Sequence, residues 1–181
     1  MFKKEIKRIC KALNENRIPY IIIGGQAVLI YGEPRLTRDI DITLGIDIDR
    51  LNDILSIVKK LNLKILTEDV VNFVKETMVL PVLGAKGIRI DFIFSCTEYE
   101  NTAIERAKKI KSDDVEICYA SPEDVIIQKI FAGRERDIED AKIIIRKQNI
   151  DDAYIIHWLK EFEKVINKNF IDLYQQLKKQ K

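Results

Sequence analysis

The stretch Tyr20-Ile21-Ile22-Ile23-Gly24-Gly25-Gln26-Ala27, together with Thr37-Arg38-Asp39-Ile40-Asp41-Ile42-Thr43 just downstream, decides the reading of this 181-residue chain. An apolar run ends in two glycines, residues 26–31 read as a short helix, and a second apolar run carries two acids two positions apart. Strand residues i and i+2 point to the same side, so the spacing predicts that Asp39 and Asp41 converge on one face. Like charges placed side by side on an apolar strand are costly unless a cation lies between them, and a divalent, oxygen-seeking ion such as magnesium suits two carboxylates. Gly24 and Gly25 let the backbone approach a ligand closely and take positive φ. The helix they open turns free N–H groups and the positive end of its dipole toward the same place, which favours phosphate. Acids for a metal beside a cradle for phosphate imply a magnesium-bound nucleotide.

A third acid follows in Ile88-Arg89-Ile90-Asp91-Phe92-Ile93-Phe94, a β-rich run. Alternation puts Ile90, Phe92 and Phe94 on one face and Arg89, Asp91 and Ile93 on the other. An acid in such a run needs a partner, and a metal shared with Asp39 and Asp41 would supply one. The plainer alternative makes Asp39 a cap or turn residue and leaves Asp41 and Asp91 as solvated edge positions.

The stretch from Ile22 to Leu44, with Gly24-Gly25-Gln26-Ala27, Gly32, Arg35, Thr37 and Asp39-Ile40-Asp41, resembles the signature of the nucleotidyltransferase superfamily, the DNA polymerase β-like proteins. It is most similar to the groups with two glycines, the lincosamide and aminoglycoside nucleotidyltransferases and the AbiEii-type toxins, and departs from the Gly-Ser form of many other members. The resemblance implies an α+β (mixed α/β) nucleotidyltransferase fold: a small mixed sheet flanked by helices, then a C-terminal helical segment. It implies transfer of a nucleoside monophosphate from a nucleoside triphosphate such as ATP to an acceptor hydroxyl on a tRNA, a protein or a small molecule. Asp39 and Asp41 would hold magnesium on the triphosphate, Gly24 and Gly25 would grip its phosphates, and Asp91 would complete a second metal position or act as base. One or two metals both fit. A toxin–antitoxin pair, with its partner protein, is a setting this family offers.

Ser121-Pro122-Glu123-Asp124, Lys129, and then Arg134-Glu135-Arg136-Asp137-Ile138-Glu139-Asp140 resemble the tail that follows the sheet domain in AbiEii-like proteins. The resemblance implies that Lys129 contacts nucleotide phosphates or helps the acceptor lose its proton, and that Asp137 orients Lys129 or caps a helix. The plain reading leaves Lys129 an exposed helix lysine and Asp137 an N-cap. Arg35 and Arg38 flank the acid strand; Arg35 matches the family pattern better as a neutraliser of triphosphate charge. Thr37 is placed to donate to phosphate, although threonine is also simply a strand former.

Composition sets bounds. Hydrophobic residues make up 46% and charged residues 33%, enough for a proper core and unlike a disordered chain. Lysine and arginine number 31 against 29 acids, a net of +2, which neither demands nor excludes nucleic acid. The predicted division is a sheet domain over 1–120 and a helical segment over 121–181. Helices are predicted over 2–14, 47–61, 68–75 and 98–110, and strands over 20–23, 40–44, 64–66, 78–83, 87–94 and 115–119. Pro81 marks an edge strand or a bulge. Further helices are predicted over 122–134, 137–147, 151–165 and 170–177. No run reaches the length of a membrane span, and the first residues read as an amphipathic helix and not a signal peptide, so a cytoplasmic protein is expected. Cys10, Cys96 and Cys118 read as small buried residues, and His157 beside Trp158 as structural. A nucleotide-binding regulatory module without turnover is the rival to the enzyme.

Overall fold

The computed structural model describes residues 2–95 and 97–179, which form two compact units: 2–26 with 37–95 and 97–119, and 27–36 with 120–179. The first unit is built on one mixed sheet. Its strands, among the described residues, are β1 (Tyr20–Ile22), β2 (Asp39–Leu44), β3 (Lys64–Ile65), β4 (Val79–Leu83), β5 (Arg89–Phe94), β6 (Lys108–Ser112) and β7 (Val115–Tyr119). They lie in the order β3-β4-β5-β2-β1-β7-β6. The pairs β2–β5 and β1–β7 are parallel and the others antiparallel.

Period-two alternation builds the central strands. Ile40, Ile42 and Leu44 of β2 and Ile90, Phe92 and Phe94 of β5 are fully buried, while Asp39, Asp41 and Asp91 take the opposite face. Helix α1 (Phe2–Glu15) turns Ile6, Ile9, Cys10 and Leu13 inward and packs against β7. Helix α3 (Leu51–Lys60) buries Leu51, Ile54, Ile57 and Val58 and is preceded by a single 3-10 turn over Ile48–Arg50. Helix α4 (Val70–Thr77) packs against β4. Helix α5 (Glu98–Glu105) starts from a reciprocal capping box between Thr97 and Glu100.

Two expectations for this unit change. The helix expected over 98–110 stops at Glu105, and Lys108–Ser112 is instead the outer strand of a β6–β7 hairpin. Its sequence, Lys-Lys-Ile-Lys-Ser, lacks an apolar alternation because most of this edge strand is exposed on both faces, and exposed lysines there discourage pairing with other chains. Pro81 occupies neither an edge strand nor a bulge. It lies in β4, between β3 and β5, in an uninterrupted register with Asp91 opposite. The missing N–H is tolerated because β3 has ended: the contact on that side is Leu66 N–H donating to the Pro81 carbonyl at 3.0 Å.

The second unit is helical. Helix α2 (Gly24–Tyr31) enters it from Ala27 onward, and α6 (Pro122–Ala132), α7 (Glu135–Lys147), α8 (Asp152–Val165) and α9 (Phe170–Lys179) complete it. Ile126, Ile127, Ile130, Ile144, Ile145, Ile155, Leu159, Phe170 and Tyr174 form its core. Helix α6 is capped at both ends. Ser121 Oγ accepts the Asp124 N–H at 3.1 Å with Pro122 in the first position, and Gly133 closes the helix at φ +67°.

No helix among the described residues is long and apolar enough to cross a membrane. Cys10 is buried, and burial pushes its thiol up to about 12. Cys118 is only half-buried, a departure from the expectation, and Cys96 lies outside the described residues. His157 is exposed, with its ring against Trp158 at 5.0 Å between centroids.

Candidate active site

The acid face of the first unit is set by the β2–β5 register. Asp41 lies directly opposite Asp91 across this parallel ladder, and Asp39 lies opposite Arg89. The three acids therefore share one face, with two of them adjacent across neighbouring strands. β1 fixes the depth of β2: the Ile23 N–H donates to the Asp41 carbonyl at 3.0 Å. Gly24 follows at φ +62°, and a Cβ there would fall 2.0 Å from Asp41 Oδ2 and 3.0 Å from Asp41 Cγ. The Asp41 carboxylate thus sits where any other residue at position 24 would carry its side chain.

Local partners engage the other acids. The Thr37 hydroxyl donates to Asp39 Oδ1 at 3.1 Å, and buried Gln26 donates through Nε2 to the Asp39 carbonyl at 3.2 Å. Arg89 Nε lies 3.0 and 3.1 Å from the two Asp91 oxygens. Among the described residues, no three His, Cys, Asp or Glu side chains close into a metal-binding group. The donor set nevertheless suits a hard cation: three carboxylates on one strand face, two in register, beside a glycine whose missing side chain leaves room for the Asp41 oxygen. Asp39, Asp41 and Asp91 are the residues that could hold it.

The remaining candidates lie in the second unit, where the structure brings Arg35 and Lys129 together around two acids. Lys129 is buried, and its ammonium donates to Asp137 Oδ1 at 2.6 Å and lies 3.5 Å from Asp140 Oδ2. Arg35 Nη2 lies 2.9 Å from the same Asp140 oxygen. Neither contact to that oxygen is aligned as a hydrogen bond, and the buried Arg35 Nε has no hydrogen-bond partner among the described residues. Arg134 donates to Asp137 Oδ2 at 2.6 Å. Burial pushes the Asp137 carboxyl up, but the hydrogen bonds and charges of Lys129 and Arg134 outweigh it and hold the group below its ordinary value.

Lys129 is therefore not an exposed helix lysine. Asp137 lies inside α7 and orients Lys129, while Arg134 occupies the cap position. Arg38 is exposed. Gln26 and Asp140 stand in the quoted motifs without the contacts they make here, and Arg89 as a partner of Asp91 is not read from the sequence. The alternation of Arg89 with Asp91 carried a signal, since opposite charges at i and i+2 on a strand share a face. The joining of Asp140 to Arg35 is a tertiary contact with no local signature.

Residues 1–173 match the sequence pattern of a family described as nucleotidyltransferase of unknown function (DUF6036). The chain belongs to this nucleotidyltransferase family. Membership makes it a nucleotidyltransferase, an enzyme that transfers a nucleoside monophosphate. No curated protein matches this nucleotidyltransferase. Solved structures share its fold. A lincosamide antibiotic adenylyltransferase with lincomycin bound is 18% identical, with 78% of this chain and 94% of that chain covered at a TM-score of 0.54. ANT(2'')-Ia in complex with adenylyl-2''-tobramycin is 18% identical over 79% of this chain and 87% of that one, at 0.54. An antigenic nucleotidyltransferase-like protein from Paracoccidioides brasiliensis is 15% identical over 97% of this chain and 91% of that one, at 0.59.

Proposed function

We propose that this nucleotidyltransferase joins the α-phosphate of a nucleoside triphosphate to an acceptor hydroxyl, with Asp39, Asp41 and Asp91 as its metal-binding acids. One observation carries the reading: Asp41 faces Asp91 in the β2–β5 register, with Asp39 two residues along and Gly24 beneath the Asp41 carboxylate. A divalent cation, when bound, would neutralise triphosphate oxygens and make the α-phosphorus easier to attack. Asp39 and Asp41 would hold that cation. Gly24 and Gly25, opening α2, would offer backbone N–H groups to the phosphates. The acceptor oxygen forms a bond to the α-phosphorus, the bond to the β-phosphate oxygen breaks, pyrophosphate leaves, and Asp91 takes the acceptor proton. For Lys129 and Arg35 the family resemblance supports a role toward phosphate, with Asp137 and Asp140 as the residues that hold them ready.

Lincomycin and adenylyl-2''-tobramycin in the related structures make a small hydroxylated molecule the first acceptor to try, ahead of tRNA and protein. The test is transfer from α-labelled triphosphates, with magnesium, into separated small-molecule, RNA and protein fractions, comparing wild type with Asp91→Asn. Label should enter one fraction and fall at least about a hundredfold in the variant. Triphosphate binding with no transfer to any fraction would favour the regulatory module instead, and equal labelling by Asp91→Asn would remove that residue from the chemistry.

A further inference from the structure

Arg89 is the cation already present on the acid face. Its Nε reaches both oxygens of Asp91, at 3.0 and 3.1 Å, and the parallel register sets it opposite Asp39. The two partners differ in exposure: the Asp91 side chain is 18% exposed and that of Arg89 55%. The carboxylate is fixed on the strand face, while the guanidinium sits at its solvent side on a long, flexible stem that can swing away. One guanidinium N–H shared between both carboxylate oxygens puts a positive charge at the edge where an incoming ion would bind, so the two compete for Asp91.

We propose that Arg89 is a positioning residue that occupies Asp91 in the cation-free protein and must release it before the acid face is complete. The inference rests on the reading of Asp39, Asp41 and Asp91 as cation ligands. Asp91 then joins a divalent ion only at the expense of its ion pair with Arg89. In the nucleotide-free protein, Arg89 keeps two neighbouring carboxylates, Asp41 and Asp91, from repelling each other unopposed. It also weakens divalent binding there, so the complete face forms late.

The experiment is titration of Mn2+ into nucleotide-free protein, with free ion read by electron paramagnetic resonance, for wild type, Arg89→Gln, Asp91→Asn and the double variant. Thermal melts check that each is folded, and Arg89→Met replaces the glutamine variant should that one not fold. Arg89→Gln should bind Mn2+ about fivefold more tightly, the size of effect expected for one partly exposed ion pair. That gain should vanish when Asp91 is already Asn, because the interaction being removed is the pair itself. An equal gain in the Asp91→Asn background would mean that only the overall charge had changed, and the proposal would be overturned. Unchanged Mn2+ affinity in Arg89→Gln would overturn it too, leaving the metal reading intact. Absence of Mn2+ binding by both wild type and Arg89→Gln would remove the metal reading and the proposal together.

Discussion

Gly24 and Asp41 constrain each other: a Cβ at position 24 would fall 2.0 Å from Asp41 Oδ2. A methyl group at position 24 would collide with the Asp41 carboxylate and would also sit on a backbone at φ +62°, which costs an L-residue about 1 kcal/mol or more. Gly24→Ala should therefore lower stability by at least about 1 kcal/mol, measured by urea unfolding. It should also abolish transfer, because the carboxylate has to move. Full activity in a folded Gly24→Ala protein would show that the Asp41 position is unimportant. The shared face of Asp39 and Asp41 is legible in the sequence, since alternation within one strand dictates it. What alternation cannot give is which acids on different strands stand side by side; that Asp41 meets Asp91 depends on the β2–β5 register.

Helix α6, which carries Lys129, owes its limits to two residues that the sequence announces. Ser121→Ala removes the cap on the Asp124 N–H in a fully buried setting and should cost about 1–2 kcal/mol. Gly133→Ala meets nothing closer than 3.6 Å and should cost only the left-handed strain, about 1 kcal/mol. Chemical denaturation of the two variants ranks them, and a larger loss for Gly133→Ala would contradict this account. Capped helices and central strands are legible because their signals are local and strong. β6 is not, because three lysines and one isoleucine fit an exposed helix as well as a charged edge strand. Pro81 misleads for a related reason: whether a missing donor matters depends on where the neighbouring strand stops.

The stability of the molecule should depend on acid pH through the Lys129–Asp137 pair. The Asp137 carboxyl lies lower in the folded protein than in the unfolded chain, so its contribution is present above the unfolded value of about 3.9. It is lost as pH falls through the folded value. At neutral pH Asp137→Asn should lose about 3 kcal/mol, because a buried ammonium loses its nearest counter-charge. Below about pH 4 the gap between wild type and variant should narrow, as the wild type gives up the same interaction. Urea midpoints at pH 7 and at pH 3.5 test this, and a gap that stayed constant would mean the pair contributes nothing that titrates. The fold class was legible through the resemblance carried by the stretch from Ile22 to Leu44, and the strand and helix periods agree with it. The Lys129 cluster was legible only as a list of residues, since its pairing depends on how α6 and α7 come together after Gly133.

The stretch after α2 looks like an ordinary surface connection, with a glycine, a proline and charged residues in quick succession. One face of α7, with its C-cap residue Gln148, holds it along its length. Arg136 donates to the Leu36 carbonyl at 2.6 Å, Asp140 takes Arg35, Lys147 reaches the Gly32 carbonyl at 3.3 Å, and Gln148 donates to the Tyr31 carbonyl at 2.9 Å. Exposed loop tips are where proteases nick and where foreign sequence is tolerated, because their backbone is bound to nothing. Here the opposite holds. Trypsin should leave the bond after Arg35 intact, and an epitope spliced between Gly32 and Leu36 would have to tear that stretch off α7 before it could be displayed.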